Sequence, residues 1–69
     1  MRTFSAVVYK EDRLYVAHCP ETGTASQGET IEEAVNNLRE ATELYLEEFP
    51  VEVTSFRPIM TTFEVPAHA

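Results

Sequence analysis

The chain has 69 residues, 43% of them hydrophobic, with 12 acids against 5 bases and a formal net charge of −7. That length admits one domain, residues 1–69, whose core is small enough to make self-association an expected source of further burial. The charge balance excludes a nucleic-acid surface built on lysine and arginine stripes, the apolar fraction excludes a disordered tail, and the single cysteine excludes an internal disulfide.

The chain opens on alternating residues. Thr3 to Tyr9 reads as a strand, with Phe4, Ala6 and Val8 on one face. Val7 and Tyr9 make the other face partly apolar, as a strand covered by a partner chain would be. Lys10-Glu11-Asp12-Arg13 is polar and short, as a hairpin loop should be. Leu14 to Cys19 is the second strand, and Pro20-Glu21-Thr22-Gly23 breaks it. Thr24 to Gln27 is a short third strand, expected antiparallel to the second.

Gly28 then serves as a pivot, through a positive φ or a close backbone approach. Thr30 and Glu33 have the spacing of a capping box, and Glu29, Glu32 and Glu33 place negative charge at the positive end of the helix dipole. The helix is expected from about Ile31 to Glu48. Ile31, Ala34, Val35, Leu38, Ala41, Tyr45, Leu46 and Phe49 form its apolar stripe, opposite Glu33, Glu40, Glu43 and Glu47. Leu44 falls within the acidic face, as a lone exposed leucine or as an anchor for a partner. Pro50 ends the helix. Val51 to Ser55 reads as a connector or short strand, and Ile59, Thr61, Phe63 and Val65 alternate as one side of a last strand opened by Pro58. The expected class is α+β, in the order β-β-β-α-β, an antiparallel sheet with one helix packed on it.

The residues offer little for catalysis. His18 and Cys19 are neighbours on a strand, so they point to opposite faces and cannot act together. His68 lies in the C-terminal tail. Glu40, Glu43 and Glu47 lack the second shell that a Mg²⁺ site needs, and read instead as a solvated face or a charged patch meeting a partner. Two glycines cannot make a phosphate loop. No enzyme activity, cofactor or metal is expected. The N-terminus has no apolar signal region and no run reaches a membrane span, so a cytoplasmic location is expected.

Several strings carry a family resemblance: Phe4-Ser5-Ala6-Val7-Val8-Tyr9, Leu14-Tyr15-Val16-Ala17-His18-Cys19-Pro20-Glu21, Gly23, Ser26-Gln27-Gly28-Glu29-Thr30, the helical run from Glu32 to Ala41, and Glu43-Leu44-Tyr45-Leu46-Glu47. Together they resemble the HicB-like antitoxins in a short form, over roughly residues 3 to 48. The resemblance implies a truncated RNase H-like fold. It also implies inhibition by binding, with a small basic HicA-type mRNA-cleaving toxin as the partner. Nuclease chemistry would need carboxylates on central strands, and neither Phe4 to Tyr9 nor Leu14 to Cys19 carries one. Many HicB antitoxins also have a C-terminal DNA-binding domain. This sequence ends at Ala69 without one, so no direct nucleic-acid binding is expected.

The expected partner-binding residues are Glu21 in the Pro20 to Gly23 loop, Gln27, Gly28 and Glu29 at the strand-to-helix turn, and Glu40, Glu43, Leu44 and Glu47 on the helix. Each group also has a plainer reading, as a turn, a helix cap and a solvated face. Self-association as a homodimer or higher oligomer is expected through Ile59, Thr61, Phe63 and Val65, because an uncovered strand edge is a liability. A second reading of the chain is an orphan HicB-like binding or regulatory module without a toxin.

Overall fold

A computed structural model describes residues 2–50 and 58–67. The expected connector from Val51 to Ser55, and His68, lie outside these residues. Four elements follow in order: β1 (Val7–Glu11), β2 (Leu14–Cys19), β3 (Thr24–Gly28) and α1 (Ile31–Glu48). The strands form one antiparallel sheet in the order β1-β2-β3. The α+β arrangement of three antiparallel strands followed by one helix is the one read from the sequence.

Strand β1 begins four residues later than alternation alone suggests. Pairing starts at Val7 opposite His18 and runs to Glu11 opposite Leu14. Lys10 and Glu11 therefore belong to the ladder, and the hairpin loop shrinks to Asp12 and Arg13. Asp12 supplies the left-handed conformation, at φ 56°, that a two-residue hairpin demands. Aspartate tolerates it because its short side chain can bond locally. The β2–β3 turn uses Gly23 at φ 79°, and its N–H donates to the Cys19 carbonyl at 2.8 Å.

The last expected strand does not form in this chain. Residues 58–67 have no strand assignment, and Ile59, Phe63 and Val65 are 89%, 85% and 70% exposed. Alternation makes a strand possible, but only a neighbouring edge supplies its hydrogen bonds.

Register sorts the sheet into two faces. Val8, Tyr15, Ala17, Cys19, Thr24, Ser26 and Gly28 share the face toward α1, while Val7, Tyr9, Leu14, Val16 and His18 share the other. The core among the described residues is Ala17, Cys19, Ala34 and Leu38, with Phe4, Val8 and Tyr15 packed against it. Small side chains at three of those four positions let the helix lie close to the sheet. The contact falls mainly on β3 and β2, and α1 meets β1 little.

The buried side of α1 also differs from the expected stripe. Ala34, Leu38 and Thr42 are buried, while Ile31, Val35 and Phe49 are exposed. Ile31 opens the helix and Phe49 caps its C-terminal end. Phe49 rests on Tyr45, with ring centroids 5.1 Å apart. Thr42 can be buried because its hydroxyl is 2.8 Å from that of Thr24, which is 2.7 Å from that of Thr22. This relay satisfies polar atoms that would otherwise oppose burial.

Candidate functional site

The sequence singled out three surface groups, and the fold treats them differently. The strand-to-helix turn is first of all a structural joint. Thr30 has extended backbone, and its Oγ1 accepts the Glu33 N–H at 3.0 Å. Glu33 reaches back one residue beyond the usual box: its Oε1 accepts the N–H of Glu29 at 2.7 Å. Gly28 is buried. A Cβ built there would stand 2.6 Å from the Ala34 nitrogen and 2.9 Å from the Glu33 carbonyl carbon. Close approach, rather than a positive φ, is therefore what this glycine provides. Gln27 and Glu29 expose their side chains, but the Gln27 carbonyl accepts Asn37 Nδ2 at 2.9 Å. Asn37 is a fastener that hydrophobic spacing does not reveal.

Glu21 turns inward. Its Oε1 accepts the Ser5 N–H at 2.9 Å and the Cys19 thiol at 3.2 Å. It thus ties the segment leading into β1 to the β2–β3 turn, across 16 positions of sequence. Burial by itself would push this carboxyl up. The Ser5 side chain and amide, the Cys19 thiol and the residue's own amide outweigh burial and hold it below its ordinary value of 4.5.

A depressed folded value means that the stabilisation is complete above the ordinary value and is lost as pH falls through the folded one. At neutral pH, Glu21→Ala is expected to destabilise the chain by about 1–2 kcal/mol, the worth of hydrogen bonds to a charged acceptor. The gap between variant and parent should narrow below about pH 4.5. Urea unfolding across that range checks this, and a gap independent of pH would sink it.

The third group is a continuous exposed surface. Glu40, Glu43, Leu44 and Glu47 lie within about 100° of arc on α1 and are all exposed, Leu44 at 63%. Glu47 and Glu48 stand near the negative end of the helix dipole, with no base in the last turn. That position costs stability rather than adding it.

His18 and Cys19 do fall on opposite faces of β2. Cys19 is 1% exposed and packed in the core. Among the described residues, no group of three or more His, Cys, Asp or Glu side chains could hold a metal ion. An open depression on the uncovered sheet face is lined by Glu11, Asp12, Arg13, Leu14, Val16 and Gln27. It brings both charge signs together without a buried polar group aimed into it. No described helix is long and apolar enough to cross a membrane.

Comparison with known proteins finds relatives of this chain. A UPF0150 protein of Helicobacter pylori is 40% identical over 53 residues, covering 75% of this chain and 74% of its own. The chain belongs to the UPF0150 family. Two UPF0150 proteins of Synechocystis are each 48% identical over 46 residues. The matches cover 65% of this chain and 67% of the relative in one case, and 64% and 58% in the other. No family model matches the chain, and no solved structure does. The UPF0150 membership extends over a length comparable to that of the folded unit from β1 to α1.

Proposed function

We propose that this UPF0150 chain is a non-catalytic protein-binding inhibitor of the HicB-like antitoxin kind, acting on a small basic HicA-type RNase. The observation that carries the reading is the exposed face of Glu40, Glu43, Leu44 and Glu47, an apolar side chain set among acids. A single exposed ion pair contributes little, but several acids together steer and orient a basic partner. The same surface competes with RNA phosphates for the partner's bases, so binding and inhibition are one event. Leu44 adds desolvated contact at the centre of the patch. The net charge of −7 favours encounter with a basic protein and opposes binding to RNA itself.

The test is calorimetric titration against the small basic protein encoded beside this chain, scored with that protein's RNA cleavage. Tight binding with loss of cleavage is expected. The Glu43→Lys/Glu47→Lys double variant should weaken binding by about 10- to 100-fold, with a marked salt dependence. Glu21 is a poor choice for charge reversal, because its carboxylate holds the fold together. Absence of binding, or of such a neighbour, would move the assignment to an orphan regulatory module.

A further inference from the structure

Two unpartnered features of this chain match one another. The first is residues 59–65, seven positions bracketed by Pro58 and Pro66. Proline cannot donate to a ladder, so the pair delimits a strand-length piece. Its odd positions are Ile59, Thr61, Phe63 and Val65. The three apolar ones are 89%, 85% and 70% exposed, so in their own chain they are packed against almost nothing.

The second feature is the β1 edge. Strand β3 also lies at an edge, but it bends through Gly28 directly into α1 and its Gln27 carbonyl is taken by Asn37. The helix lies over β3 and β2, which leaves β1 the less covered side of the sheet. Val7 and Tyr9 of β1 are 37% and 51% exposed. Seven extended residues span about 23 Å, enough to pair along all five residues of β1.

Each copy carries both halves of the contact, a strand to give and an edge to receive it. Two copies can therefore satisfy one another with two-fold closure.

We propose that residues 59–65 of one copy form a fourth strand on the β1 edge of a second copy, giving a reciprocally strand-exchanged homodimer. The exchange pairs the β1 edge and buries Ile59, Phe63 and Val65 without calling on any other protein, so it stands apart from the antitoxin reading.

The experiment is sedimentation equilibrium of the full chain, joined to isotope-filtered NOE spectra of a mixture of labelled and unlabelled copies. A dimer with intermolecular contacts between the Phe63 ring and β1 is expected. Phe63→Asp should weaken dimerisation by about 30-fold or more, while the helical circular dichroism is kept, since Phe63 is exposed in the single chain. Ile59→Asp should act in the same direction. A monomeric parent chain, residues 59–65 docked on their own sheet, or a dimer indifferent to both variants would each overturn the proposal.

Discussion

Gly28→Ala is expected to destabilise the fold by about 2–3 kcal/mol, the scale of overpacking a close contact. In a chain of this size that lowers the midpoint of thermal unfolding by about 10–20 °C. The cause is specific. The new methyl group would meet backbone atoms of Glu33 and Ala34 at 2.6 to 2.9 Å, and these belong to the first turn of α1. A flexible side chain could swing aside, but a capped helix start can move only by lifting off β3. The same joint carries the Thr30 cap and the Glu33 reach-back, so displacement would strain both. Thermal unfolding followed by circular dichroism measures the effect. A change within about 0.5 kcal/mol, the range of an ordinary surface substitution, would mean that the contact relaxes freely.

Leu38→Ala should cost about 3 kcal/mol, through lost burial and the cavity it leaves. The whole stability of a domain of this length is about 3–10 kcal/mol, so the loss is a large share of it. Leu38 is 4% exposed and is the largest aliphatic side chain of the buried cluster, whose other members are Ala17, Cys19 and Ala34. No larger neighbour within that cluster can close the gap.

Leu44→Ala on the same helix provides the contrast. At 63% exposure it should change stability by no more than about 0.5 kcal/mol, yet weaken binding of the proposed basic partner. Chemical denaturation of both variants, beside titration with the partner, separates the two roles. A destabilisation by Leu44→Ala as large as that of Leu38→Ala would show that the helix faces are misassigned.

These positions also mark how far the sequence could be read. The helix limits, Ile31 and Glu48, are legible because their signals are local: a cap with its donor three residues on, and a proline just past the end. Strand β2 was legible for a similar reason, since its alternation is bounded by turn residues on both sides. The acidic stripe with Leu44 followed from helical spacing alone.

The inward turn of Glu21 was not legible. Its donors are Ser5 and Cys19, and no local pattern announces a contact across 16 positions. Spacing does not place Thr42 in the buried stripe, because a hydroxyl reads as polar until Thr24 and Thr22 satisfy it. Spacing predicts burial for Ile31, Val35 and Phe49, which are exposed, because it states which side chains share a helix face, not what packs against that face.

By itself, then, the sequence determined the local elements, the cap, the chain's acidity and the alternation of residues 59–65. Only the tertiary structure decided that β1 begins at Val7, that Gly28 serves close contact, that Glu21 is a tie within the fold, and that Ile59, Phe63 and Val65 are left uncovered. The physical reason is the range of the interactions. Capping and side-chain periodicity act within a few residues, whereas ladder partners, hydroxyl relays and burial depend on what another part of the chain brings alongside.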